Sequence, residues 1–512
     1  MRFFSGPGGI RKAVYTLLAV AISIGIFAGI RHLLAISHVA SAYYAKTLCS
    51  GLFVSRRPQQ EVITQDVLAD LPTHLKHFSA TVDHTRNLVR SSLFGMVEHQ
   101  ALYRPGLGCT LVNGTSIEAL RAQAHGFTPL RTLPQPGALW PEGDRVDLDA
   151  PMAGVDKGVL QRVVDAAFAE PREETARRTR AVIVVHKGRI IAERYAPGFT
   201  PATPQLGWSM GKTVTAMLAG ILAGQGRLKP DQAGLFPEWS GAGDPRAAIS
   251  VDHLLRMTSG LDFDQPHERM LSDVRKMLFL EPDAAGYAKV RELAAPPGSF
   301  WRYGSGPSVL LNALLRTRID GGQAAYFNFP YRALFAPLGM STVVVEPDPS
   351  GTYLMPAFIH AGARDWARLG LFLLRDGVWQ GKRILPEGWV AYLLRPTPQS
   401  RGYFGAHLWR RVPDFLRPYF AGDFTLPASR FYMLGHDGQM VAMVPSHDLV
   451  VVRLGLSRRH GAWDPDAFLD ALLTAFPALD AGRRSRSGVE PAVEPIYRRP
   501  GFSWGRGDQP ER

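Results

Sequence analysis

The stretch Gly207-Trp208-Ser209-Met210-Gly211-Lys212-Thr213 fits three chemistries at once. Its first five residues spell G-x-S-x-G, an elbow in which a strained strand-to-helix turn exposes a serine hydroxyl. Ser209 and Lys212 spell S-x-x-K, a hydroxyl nucleophile with an amine base one helical turn along. The last three residues end as a phosphate-binding loop ends. A phosphate loop needs glycine six residues before the lysine, and Leu206 stands there, so the backbone amides would not close around a phosphate. The elbow needs a buried strand running into the serine. Pro197, Pro201 and Pro204 precede it instead, and proline cannot donate to a sheet ladder. S-x-x-K asks only that a helix begin at Ser209, and the run after Lys212, "TVTAMLAGILAGQGRL", is rich in helix formers. Three residues onward is the same helical face, which sets Lys212 beside the hydroxyl. The elbow stays open as the second reading.

The elements that must hold this pair are clearly punctuated. "AVIVVHKGRIIAERY" (181–195) is two β-rich runs around Lys187-Gly188, a hairpin, and "MVAMVPSHDLVVVRLGL" (440–456) is another. "SVDHLLRMTSG" reads as a helix opened by Ser250 and closed by Gly260. "GPSVLLNALLRTRIDGG" carries Pro307 in its first turn, where the missing N–H is no loss, and "DPDAFLDALLTAF" (464–476) is a capped amphipathic helix.

Several segments, in order, resemble the serine β-lactamase-related family, the branch with class C β-lactamases, related esterases and 6-aminohexanoate-dimer hydrolases. They are "GWSMGKTVTAMLAGIL", "LLRMTSGLDF" (254–263), "PPGSFWRYGSGPSVLLNALL", "LFAPLGMSTV", "ARLGLFLLRDGVWQGKRILPEGWV" and "LGHDGQMVAMVPSHDLVVVRLG", together within residues 155–475. The resemblance implies an α+β, two-lobed fold: an antiparallel sheet flanked by helices, shared by the 181–195 and 440–455 runs, plus an all-helical lobe. It places the family's Tyr-x-Asn/Ser element on Tyr303-Gly304-Ser305, where Ser305 either meets substrate or caps the helix at Pro307. A literal Tyr-x-Asn at Tyr326-Phe327-Asn328 lies in an aromatic run that reads as a packed helix. The third element, His-x-Gly on an edge strand facing the serine, falls on His436-Asp437-Gly438. A lysine at that place is a permanent cation able to grip a carboxylate, whereas histidine titrates near neutrality. With Asn also missing from the Tyr element, this favours a small-molecule ester or amide substrate over a β-lactam. The implied route is attack by Ser209, an acyl-enzyme, and hydrolysis by water activated through Lys212 and Tyr303. Backbone N–H groups of Ser209 and Gln439 would hold the oxyanion. Neither a cofactor nor a metal is expected, since H-E-x-x-H and Cys-x-x-Cys are absent from the sequence. A noncatalytic ligand-binding descendant on the same fold is the alternative, and it would have no need of the Ser209, Lys212 and Tyr303 trio.

The flanks have their own character. Apolar residues make up 46% and charged residues 20% of the chain, a globular balance. The net charge of +13 sits mostly at the ends: seven basic and no acidic side chains in residues 1–60, and seven Arg against four acidic residues in 481–512. A nucleic-acid partner is therefore not expected. Ala13 to Ile30 is an uncharged run of 18 residues, long enough to span a bilayer. Arg2, Arg11 and Lys12 precede it and Arg31 alone follows closely, which keeps the N-terminus cytoplasmic. The expectation is a single-pass inner-membrane anchor with an extracytoplasmic catalytic domain; cleavage after Ala40-Ser41-Ala42 is the alternative. In that oxidising compartment Cys49 and Cys109 could pair across a loop of about 60 residues, or stand as two separate buried thiols. The expected organisation is 1–45 anchor, 46–150 accessory region and linker, 151–480 hydrolase domain, and 481–512 disordered basic tail.

Overall fold

The computed structural model describes residues 7–69, 77–170, 175–267, 269–416 and 424–477; the basic segment 481–512 lies outside the described residues. Helix α1 (Pro7–Cys49) is 43 residues long and continues well past the apolar run that starts it. Its two halves meet different surroundings. Side chains from Lys12 to Leu34 are exposed and include Leu17, Ile24, Phe27 and Leu33. Val39, Ala42, Ala45 and Leu48 are fully buried, a stripe at helical spacing that docks on the rest of the molecule.

Strands β1 (Phe78–Asp83), β2 (Leu88–Leu93), β3 (Val97–Arg104) and β4 (Gly108–Leu111) form an antiparallel sheet packed along the second half of α1. Ser41 Oγ donates to the Ser91 carbonyl at 2.8 Å, and Cys49 is disulfide-bonded to Cys109 on β4. Glu346, fully buried, ties this unit to the remaining chain. It pairs with Lys46 of α1, accepts from Ser50 Oγ at 2.8 Å and from the Cys109 N–H at 2.7 Å, and lies 3.1 Å from His360 Nε2. Burial alone would raise its pKa; Lys46 and His360 overcome that and hold it down to about 2.

The larger unit contains α2 (Lys157–Ala166), β5 (Thr179–His186), β6 (Arg189–Tyr195), α3 (Met210–Gly224), α4 (Ser305–Thr317) and α5 (Ala363–Leu374). It closes with β7 (Phe431–Gly435), β8 (Gln439–Val444), β9 (Leu449–Gly455) and α6 (Pro465–Leu473). The sheet order is β7-β8-β9-β5-β6, with neighbours antiparallel, so the two hairpins read from sequence share one sheet. Lys187 and Gly188 turn the first hairpin with φ of +49° and +74°, the left-handed pair that a two-residue loop needs. Along β5, Ile183 and Val185 face α3 and α5, while Val182 and Val184 face α2 and α6. Both faces are covered, which explains the unbroken apolar run.

Between α3 and α5 the chain is largely helical, with Val251–Leu255, Asp273–Phe279, Ala284–Lys289, α4 and Gly322–Pro330. Ser250 caps the first of these, its Oγ accepting from the His253 N–H at 3.1 Å. That helix ends at Leu255, before Gly260. Gly260 serves a close approach instead, since a Cβ there would stand 2.0 Å from the Ala295 carbonyl oxygen.

Candidate active site

Ser209 stands at the N-cap of α3. The residues before it form only a two-residue strand, Gln205–Leu206, paired antiparallel with Ile359–Ala361. The long buried strand of an elbow is not there. Trp208 bridges strand and helix in the left-handed region at φ +48°, a conformation that is costly for a bulky side chain and recurs at functional sites. The two glycines of the motif answer to packing. A Cβ on Gly207 would lie 2.2 Å from the Trp366 ring, and one on Gly211 only 1.9 Å from the Met355 carbonyl oxygen. What looks like the end of a phosphate loop is a helix pressed against a backbone: Lys212 is buried and Thr213 Oγ1 donates to the His407 carbonyl at 2.7 Å.

Lys212 Nζ lies 2.8 Å from Ser209 Oγ, 3.1 Å from Ser305 Oγ and 3.4 Å from the Pro356 carbonyl oxygen. The lysine is 2% exposed, and burial brings its pKa down to about 7. A neutral amine beside a serine hydroxyl is thus accessible at physiological pH. Ser305 opens α4 without capping it; its N–H donates to Gln265 Oε1 at 2.6 Å while its Oγ turns to Lys212. Tyr303 is buried among Trp301, Phe404 and Trp409 and presents its ring to Lys212 Nζ at 4.9 Å from the centroid. Tyr326, of the literal Tyr-x-Asn, is buried in the helix Gly322–Pro330, its hydroxyl accepting from the Tyr353 N–H.

The third element departs from the expected strand. His436-Asp437-Gly438 is a single 3-10 turn joining edge strand β7 to β8, with Asp437 at φ +61° and Gly438 at φ +81°. The end of β7 still reaches the segment that leads into Ser209: a Cβ on Gly435 would sit 2.3 Å from the Gly207 carbonyl oxygen. The His436 ring stacks on His267 at 4.6 Å and meets Trp208 edge-on at 5.4 Å. Gly438 backs onto Arg453, whose Nη1 donates to its carbonyl at 3.0 Å. The Gln439 side chain pins the turn through the His436 and Gly455 carbonyls.

Sequence reasoning missed three neighbours. His267 stacks on His436, and burial together with His436, Arg275 and Lys212 pushes its pKa well below the usual value. Gln265 holds the start of α4. Burial takes His407 down to about 3; its Nδ1 donates to the Leu255 carbonyl at 2.6 Å and its Nε2 accepts from Ser308 Oγ at 2.7 Å. For Gln265 and His267 the one signal was their place just after "LLRMTSGLDF"; His407 had none.

The chain is similar to several known proteins. The 6-aminohexanoate-dimer hydrolase of Paenarthrobacter ureafaciens is 26% identical over 239 residues, which is 43% of this chain and 58% of that relative. A penicillin-binding protein homolog from Caulobacter crescentus has 18% identity and a TM-score of 0.46, covering 64% of this chain and 100% of its own. A β-lactamase from Mycobacterium bovis has 17% identity and a TM-score of 0.42, covering 62% and 98%. The beta-lactamase family model matches residues 164–473, a span that runs from α2 to α6 and takes in Ser209, Lys212, Tyr303 and the 436–438 turn. Over more than half its length, then, this chain is a member of the beta-lactamase family of serine hydrolases.

Proposed function

We propose that the protein is a membrane-anchored serine hydrolase that opens an ester or amide bond through an acyl-enzyme on Ser209. The observation that carries this is Lys212 Nζ, buried, 2.8 Å from Ser209 Oγ and brought to a pKa of about 7. As Oγ forms its bond to the carbonyl carbon, its proton passes to Lys212. The bond to the leaving alcohol or amine then breaks, and that proton goes with the leaving group. Water repeats the sequence in reverse and frees the acid. Lys212 is the primary base in this reading, with Tyr303 against it as proton partner and Ser305 fixing Nζ. The N–H groups of Ser209 and Gln439 hold the oxyanion, and losing one such donor adds about 3 kcal/mol to the barrier. His436, stacked on His267 and 3.2 Å from Asp437 Oδ1, favours ester or amide substrates over β-lactams.

The anchor reading rests on α1, which is long and apolar enough to cross a membrane. Fully buried Ala42 lies inside an unbroken helix, which speaks for retention over cleavage at that point. The domain after the anchor is read as extracytoplasmic, in keeping with the basic residues before the apolar run and the Cys49–Cys109 bond. A fluorophosphonate probe tests the hydrolase reading. A hydrolase carries the adduct on Ser209, and Ser209→Ala abolishes labelling and lowers ester turnover roughly 10⁴-fold or more. A purely ligand-binding protein is not labelled at all.

A further inference from the structure

A cavity of about 240 Å³ reaches Trp208, the residue before Ser209, and its walls come from both units. Its wall includes Trp208, His267 and His436 of the larger unit, Ala40 and Tyr44 of α1 and Phe78 of β1, with the charged Arg275 and Arg458 among them. The α1 residues stand just past the exposed apolar segment. Ala40 follows Leu34 by six residues, about 9 Å along a helix axis.

The small sheet points the same way. Tyr103 of β3 pairs with Cys109, which is bonded to Cys49 at the end of α1. Further along, His99 of β3 reaches His38, with ring nitrogens 3.1 Å apart. The β2–β3 hairpin therefore runs beside α1 toward its apolar half. Its tip lies four residues beyond His99, about 13 Å, level with the last turns of that half. At the tip Phe94 and Met96 are 68% and 78% exposed, on a surface where a soluble turn would carry polar residues. Phe78, in the cavity wall, pairs with Leu93 beside that tip. Catalytic rim, cavity, hairpin tip and apolar helix thus follow one another without a break.

From this juxtaposition we infer that the substrate is an amphiphilic ester or amide drawn from the bilayer. Its fatty-acyl chain occupies the cavity under α1 and its carbonyl lies at Ser209, while Phe94 and Met96 dip into the membrane interface. The inference rests on the hydrolase reading above and names its substrate class. Trp208, in the cavity wall, immediately precedes Ser209, so the cavity is assigned the part of the substrate that stays on Ser209 after the first step, the acyl group.

The test uses the full chain in phosphatidylcholine vesicles with p-nitrophenyl esters from acetyl to decanoyl. The expected result is a kcat/KM at least tenfold higher for decanoyl than for acetyl. Ala40→Trp, which fills the cavity, lowers that ratio at least fivefold. Phe94→Ser with Met96→Ser leaves acetyl-ester turnover unchanged and cuts turnover of vesicle-embedded decanoyl ester at least fivefold. Equal rates across chain lengths, or a decanoyl rate indifferent to the Phe94/Met96 pair, overturn the inference. If no ester is turned over and the fluorophosphonate leaves Ser209 bare, the hydrolase reading itself has failed.

Discussion

In the proposed mechanism Lys212 acts as a base while buried, and the same burial lowers its pKa toward that role. Its neighbours are two hydroxyls, a carbonyl and an aromatic face, and none of these stabilises an ammonium as a carboxylate would. With a pKa near 7 the neutral fraction grows as pH rises. Log kcat/KM should climb with unit slope below neutrality and level off above it, giving about tenfold more activity at pH 8 than at pH 6. A flat profile between pH 5.5 and 8.5 would remove Lys212 from the base role. The same shift enters stability. Between about 7 and the ordinary lysine value of 10.5 the unfolded chain binds more protons than the folded one, so unfolding free energy rises with pH over that window. Lys212→Met should flatten the rise while leaving the melt cooperative, as chemical denaturation at pH 7 and 9.5 would show. Sequence alone named Ser209 and Lys212 because one helical turn relates them. It could not reveal that Trp208 takes a left-handed conformation, or that His267 stacks on His436. Those facts belong to contacts between distant segments.

Among the elements, the N-terminal helix departs most from what its sequence suggests. Hairpins and the capped helix α6 were legible because period-2 and period-3.6 patterns sit between turn residues. The stripe Val39, Ala42, Ala45, Leu48 is equally periodic, yet its small residues blend into the apolar run before it. Its partner Glu346 lies 300 residues from Lys46. The third motif, expected on an edge strand, is a turn between two strands: its Asp437-Gly438 pair is a turn signal, and the β-forming run begins only after it. Two outcomes check the helix's role. Glu346→Ala strips the partner from Lys46, leaves a buried ammonium uncompensated, and should destabilise the fold by about 3–5 kcal/mol in urea titration. Cys49→Ser opens a loop of sequence separation 60, a loss of about 4 kcal/mol on the chain-entropy account. A change under 1 kcal/mol in either would mean that α1 merely touches the domain.

For the molecule as a whole, α1 is one rod in two settings, and the boundary near Leu34 divides an exposed apolar surface from a surface packed on protein. Cutting the chain there should separate the two properties. A chain beginning at Ala35 keeps the buried stripe, the disulfide and the Lys46–Glu346 pair; it should stay in the supernatant without detergent and label with fluorophosphonate at the full-length rate. A chain beginning at Gly51 loses all three. The unpaired Glu346 alone costs about 3–5 kcal/mol, and each lost large apolar contact adds about 1.5–3 kcal/mol. Together these exceed what a domain stabilised by about 5–15 kcal/mol readily absorbs, so the shorter chain should aggregate or melt without a cooperative transition. Should it instead unfold cooperatively at the full-length temperature and still label at Ser209, the 39–49 segment would be an attachment to the hydrolase fold and not part of it.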